Sequence, residues 1–168
     1  IVTEATRLLG ARRLLLVLNL EGASPSIAGS KLPAGEGAQD LLQAVAPWLA
    51  EALDTGISRL RHGPDGAEPS EQRSCLVAPL PAPQGPLGAL YADLEGTHGR
   101  FEEAERALLT TLAAMAAAAL GQVRDASALQ QEVALRTKEV VDTAAAQKAT
   151  AEVLQIIGTS TDDPGPVF

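Results

Sequence analysis

Leu87-Gly88-Ala89-Leu90-Tyr91-Ala92-Asp93-Leu94 decides the fold of this chain. It is an apolar run of strand length with one acidic residue near its end. A second apolar run, Arg73-Ser-Cys-Leu-Val-Ala-Pro-Leu80, precedes it, and Pro81-Ala-Pro-Gln-Gly-Pro86 joins the two. Two such runs across a short Pro/Gly turn predict a β-hairpin. Alternation places Cys75, Val77 and Pro79 on one face of their strand, and Ala89, Tyr91 and Asp93 on one face of theirs. Which face meets a pocket is left open by the pattern. After a polar loop, Phe101-Glu-Glu-Ala-Glu-Arg106 opens a helix with acids in its first turn, where the macrodipole favours them.

Toward the N-terminus, residues 2–10 read as the tail of a helix stopped by Gly10. Residues 13–20, Arg-Leu-Leu-Leu-Val-Leu-Asn-Leu, are a strand buried on both faces. Residues 21–36 are rich in Gly, Pro and Ser and predict a loop with one weak strand. Leu41, Leu42, Val45, Leu49, Ala52 and Leu53 recur at helical spacing, so residues 37–54 are a helix, which Pro47 should kink or split. Residues 57–62 alternate as a half-exposed strand, and 63–72 form an exposed loop.

Between Phe101 and Ile157 the only Gly or Pro is Gly121. Leu112, Ala119, Ala126, Val133 and Val140 occupy one heptad core position; Leu108, Met115, Gln122 and Leu129 occupy the other, which Arg136 also fills. Beyond Val140 the phase slips. This pattern predicts a coiled coil with a second copy, with Leu108, Leu112, Met115, Leu129, Val133 and Val140 in the seam. The alternative is one amphipathic helix folded back on its own domain. The helix is expected to stop at Gly158.

The 168 residues suit one domain plus extra helix. Ala (31) and Leu (25) make a third of the chain and favour helix. The net charge of −8 leaves no basic face to displace counterions, so nucleic-acid binding is not expected. One cysteine, Cys75, and two histidines, His62 and His98, provide neither a disulfide nor a cysteine-based zinc site. No metal site and no catalytic residue is assigned: no nucleophile elbow, P-loop, zinc-protease helix or calcium loop is present. Gly35-Glu36-Gly37 before a helix could favour an anion, but Glu36 opposes it. Residues 107–123 carry no charge, yet much of their bulk is Ala, which fits a buried helix rather than a membrane span. The single cysteine fits a reducing compartment, and the chain, which begins with Ile1 and ends on Phe168 without a cap, is read as a piece of a longer protein.

Leu87-Gly-Ala-Leu-Tyr-Ala-Asp, the preceding Val77-Ala-Pro-Leu80, and Phe101 opening a helix that runs Leu-Thr-Thr-Leu-Ala-Ala resemble the end of a GAF domain. The resemblance covers about residues 5–125. It implies an α+β fold, an antiparallel sheet flanked by helices, here with a long C-terminal coiled-coil helix. Residues 132–141 resemble the signalling helix that follows many bacterial GAF domains, and 149–168 resemble the opening of another sensor domain. The domains expected are therefore 1–122 as sensor, 123–157 as connector and 158–168 as the start of a following module. The resemblance implies a non-catalytic sensory module of a bacterial signalling protein, often a histidine kinase or nucleotide cyclase. It would bind a small molecule of unknown identity and relay through a homodimeric helix. A ligand-free dimerising spacer is the alternative. Trp48, Arg61, Cys75 and Tyr91 are the candidate ligand-binding residues. The chain departs from the family in lacking most of the first helix, the Cys-His dipeptide of bilin binders and the Asn-Lys-Phe-Asp-Glu signature of cyclic-nucleotide binders.

Overall fold

The computed structural model describes residues 1–19, 25–63, 66, 68 and 71–160. The elements are α1 (Val2–Leu9), β1 (Arg13–Leu18), β2 (Ser26–Lys31), α2 (Ala38–Thr55), β3 (Arg59–Gly63), β4 (Arg73–Pro79), β5 (Gly88–Glu95), a single 3-10 turn (Gly96–His98) and α3 (Glu103–Ser160). The strands form one antiparallel sheet in the order β2-β1-β5-β4-β3. The chain divides into two compact units, Ile1–Gly121 and Gln122–Phe168.

The sheet is apolar on both sides, and each side carries its own core. On one side Leu14, Leu16, Leu76, Ala78, Leu90 and Ala92 meet α1 through Ala5 and Leu9, and α3 through Leu109, Ala113, Ala116 and Ala117. On the other, Leu15, Val17, Cys75, Val77, Ala89 and Tyr91 meet α2 through Leu41, Leu42, Val45, Leu49 and Ala52. The unbroken apolar run of β1 follows from this. Odd and even positions both need a hydrophobe when both faces are covered. Gly10 closes α1 in the left-handed conformation (φ 63°), its N–H bonded to the Thr6 carbonyl.

One alternative is excluded and one expectation is corrected. Pro47 does not split α2, which runs unbroken from Ala38 to Thr55. The proline ring removes one bond to the Gln43 carbonyl, but both residues are exposed, so water can take that group while the buried Val45 and Leu49 hold the helix on the sheet. Gly158 does not end α3, which continues to Ser160. A glycine in a helix costs about 1 kcal/mol relative to Ala, which lowers propensity without forcing a stop. The segment expected to open a following module lies mainly outside the described residues.

Within the first unit α3 buries Leu109, Ala113, Ala116 and Ala117, half-buries Leu108 and Leu112, and leaves Met115 65% exposed. At about 100° per residue the buried stripe and the Leu108–Leu112–Met115–Ala119 stripe point roughly 120° apart. In the second unit every described side chain from Gln122 to Leu154 is exposed, including Leu129, Val133 and Val140. Among the described residues α3 is the one helix long and apolar enough to cross a membrane by length and composition alone. Within the first unit its charge-free stretch from Ala107 onward supplies small side chains to the core against the sheet.

Candidate functional site

The face of the sheet that meets α2 also carries a cleft of about 630 Å³. Its floor is made by Arg13, Arg73, Cys75 and Tyr91, and its walls by Gly35, Glu36 and Gly37 and by Asp40, Leu41, Ala44, Val45 and Trp48 of α2. Strand register builds the floor. Asp93 on β5 pairs with Arg13 on β1 and with Cys75 on β4. Three adjacent strands thus bring one carboxylate, two guanidiniums, a thiol and a phenol onto one face.

Asp93 is fully buried. Arg13 Nε donates to its two oxygens at 2.9 and 2.8 Å, and Tyr91 Oη donates to Oδ2 at 2.6 Å. Arg73 Nη1 reaches Oδ1 only at 3.5 Å, and Arg73 Nη2 reaches Glu95 at 3.4 Å. Arg13 Nη1 also reaches Glu36 at 3.2 Å. A carboxylate removed from water needs such a full set of donors to remain charged. Burial alone would lower the pKa of Arg13, but hydrogen bonds and attraction from Asp93 override it and hold the guanidinium above its usual range. The Tyr91 phenol is pushed well up, first by burial and then by Cys75 and Asp93. Burial likewise pushes the Cys75 thiol up. Both remain protonated at neutral pH. Tyr91 Oη lies 3.5 Å from Cys75 Sγ, so the thiol is held as a buried neutral group, which is not the setting of a reactive thiolate.

The structure brings three of the four sequence candidates, Trp48, Cys75 and Tyr91, to this cleft. Arg61 stands apart: it pairs with Glu51, and its guanidinium carbon lies 6.0 Å from the Trp48 ring centroid, outside the lining. Sequence reasoning did not select Arg13, Glu36 or Asp93. A charged residue opening an apolar strand, and another closing one, are the available signals. Neither reveals a partner 80 residues away until strand order is known. Neither histidine lines the cleft. Among the described residues no group of three metal-ligating side chains converges. A second cavity of about 430 Å³ lies on the other flank of α2, walled by Val17, Leu42, Leu49, Leu53 and several amide side chains. None of its described lining residues is cationic.

Gly88 explains the motif that opens β5. A Cβ there would stand 2.0 Å from the Val17 carbonyl oxygen of β1, so only glycine allows the two strands to close. Leu90 then faces the α1/α3 core, while Tyr91 lines the cleft and Asp93 lies buried beside it on the same face.

Comparison with known proteins agrees with this architecture. The family model described as "GAF domain" matches residues 1–120. Among solved structures, GAF3 of Slr1393 from Synechocystis sp. PCC6803 superposes with a TM-score of 0.59 at 18% identity, covering 76% of this chain and 93% of that one. The GAF-B domain of DevS from Mycobacterium smegmatis gives 0.56 at 22% identity, over 76% and 92%. The GAF domain/HD domain protein from Geobacter sulfurreducens gives 0.53 at 18%, over 73% and 90%. At these identities the likeness is one of fold. No curated protein matches significantly. By the match over residues 1–120, the chain belongs to the GAF domain family.

Proposed function

We propose that the first unit is a non-catalytic sensory module that holds a small ligand in the cleft between α2 and the sheet. In this reading α3 pairs with α3 of a second copy, and the change in the cleft is passed along it to an output domain of a cytoplasmic bacterial signalling protein, of the histidine kinase or nucleotide cyclase type. Similar folds include the GAF domain of the cyanobacteriochrome TePixJ, which fits a sensory role. The observation that carries the reading is the cleft itself: it is roomy enough for a metabolite-sized molecule and has an aromatic wall, Trp48, and two guanidiniums at its floor. The exposed row Met115, Leu129, Val133 and Val140 supports the pairing. Binding would shift the population of two arrangements of α3 rather than catalyse a reaction.

One observation favours a second reading, a ligand-free spacer. The polar groups at the floor already satisfy one another, since Asp93 receives donors from Arg13, Tyr91 and Arg73. A thermal-shift screen with GTP, cyclic AMP, cyclic GMP, haemin and biliverdin separates the two. A ligand present at 100 times its dissociation constant adds about 2.7 kcal/mol of stability. A response that Trp48→Ala abolishes supports the sensor, and a flat screen supports the spacer.

A further inference from the structure

β4 has two sides, and both reach something that matters to the proposed relay. On one side Arg73 and Cys75 line the cleft. On the other, Ser74 is buried to 1% exposure, and its Oγ accepts the backbone N–H of Phe101 at 2.9 Å. Phe101 is itself 2% exposed and stands just before α3. Its amide lies at a helix entrance, where backbone donors lack helical partners, and a buried donor of that kind needs one. The next amide, Glu102, is satisfied locally by the Glu105 carboxylate at 2.8 Å. The Phe101 amide instead takes its acceptor from the sheet.

The same hydroxyl also meets β3. Ser74 Oγ lies 3.0 Å from His62 Nδ1, its cross-strand partner on β3. The Ser74 hydroxyl therefore joins the Phe101 amide to the imidazole of β3. A second tie runs from Ser58, between α2 and β3. Its carbonyl accepts from Arg106 Nη1 at 3.3 Å, and its Oγ lies 2.8 Å from Thr110 Oγ1. The helix that walls the cleft is thus followed by a residue that grips the second turn of α3.

We propose that Ser74 is the coupling residue of this domain: a change at the Arg73–Cys75 side of β4 reaches α3 through the Ser74 hydroxyl on the Phe101 amide, with Ser58 as the parallel tie from α2. This rests on the cleft being the sensing site and α3 the output. Coupling needs a physical element that both sites bias, and a strand segment one residue long between cleft lining and helix entrance is such an element.

Hydrogen–deuterium exchange of residues 100–112 in the whole chain tests it, with the cleft disturbed by substitution rather than by ligand. Tyr91→Phe removes the hydroxyl that joins Cys75 and Asp93 and does not touch Ser74. In the wild-type background Y91F should change exchange at the start of α3 about threefold. Ser74→Ala should raise exchange of the Phe101 amide roughly tenfold, the factor of one lost hydrogen bond, and should erase the further response to Y91F. Ser74→Thr, which keeps the hydroxyl, should restore it. If S74A does not fold, Ser74→Cys under reducing conditions replaces it, and its weaker acceptor should reduce the response. A Y91F response of equal size with and without the Ser74 hydroxyl, or none in either background, overturns the proposal. Because no ligand is added, a flat ligand screen does not alter this result, so failure of the sensor reading and failure of the coupling are separable.

Discussion

Asp93→Asn is the sharpest test of how the cleft floor is held. The substitution preserves shape and removes the charge that Arg13 and Tyr91 point at. Arg13 is only 14% exposed and Asp93 is fully enclosed, so the remaining guanidinium is poorly compensated, with Glu36 at 3.2 Å its nearest relief. Breaking a buried pair by removing one partner costs about 3–5 kcal/mol. For a chain of this size each kcal/mol lowers the melting temperature by about 2–4 °C, which puts the expected drop near 10 °C. Trp48 is the only tryptophan and sits in the cleft wall, so its emission reports the melt of the first unit without labels. The companion variant replaces the enclosed part of the network by hydrophobes, leaving Arg73 to Glu95: Arg13→Met, Asp93→Leu and Tyr91→Phe together. Desolvation is then no longer opposed to pairing, and this variant should be at least as stable as D93N and within about 2 kcal/mol of wild type. If D93N loses less than about 1 kcal/mol, the buried carboxylate is not what locks β1, β4 and β5 in register, and the reasoning fails.

Gly88→Ala should destabilise the domain by more than about 3 kcal/mol, because the new methyl meets the Val17 carbonyl; a urea midpoint equal to wild type would refute the close approach of β5 to β1. Stability should be insensitive to alkali up to about pH 8.5, where a free thiol ionises. Above that the unfolded chain loses the Cys75 proton while burial holds it on in the fold, so stability falls by about 1.4 kcal/mol per pH unit. Tyr91 steepens the fall above about pH 10, and Cys75→Val should remove the first phase in pH-dependent urea melts. Leu129→Asp with Val133→Asp should convert a dimer to a monomer in sedimentation velocity while leaving the Trp48 melt within about 1 kcal/mol; a wild-type chain that sediments as a monomer at high concentration ends the pairing model. Arg61→Ala should shift Trp48 emission yet cost less than about 1 kcal/mol, since Arg61 is exposed and its ion pair with Glu51 is a surface one.

How much of this was legible depends on how local the cause is. The hairpin was readable because Val77-Ala-Pro-Leu80, the Pro/Gly turn and Leu87-Gly-Ala-Leu carry their own periodicity and their own turn chemistry. Strand β1 was readable because burial on both faces demands an uninterrupted apolar run. The misjudged positions, Pro47 and Gly158, are those where a local preference of a few kcal/mol or less competed with tertiary packing or helix continuity. The cleft floor was only half legible. Alternation grouped Tyr91 with Asp93 and Cys75 with Val77, but α2 decides which face they share with Trp48. Arg13 could join Asp93 only once β1 was known to lie beside β5.

The floor is unevenly fastened, and that bears on how a cleft of this kind can respond. Arg13 is held by short, near-bidentate bonds and is mostly enclosed, so moving it would strand a buried charge. Arg73 makes only long contacts of 3.4 and 3.5 Å and is 34% exposed. Taking Arg73 away from Asp93 leaves the carboxylate still bonded to Arg13 and Tyr91, at small cost. An anionic group entering the cleft would therefore find one guanidinium fixed and one free to follow it. The free one is on β4, next to the serine that holds the entrance of α3. Were the loose and tight arginines exchanged, a ligand would disturb β1, which makes no hydrogen bond to α3 among the described residues, and the polar route through Ser74 to that helix would be bypassed.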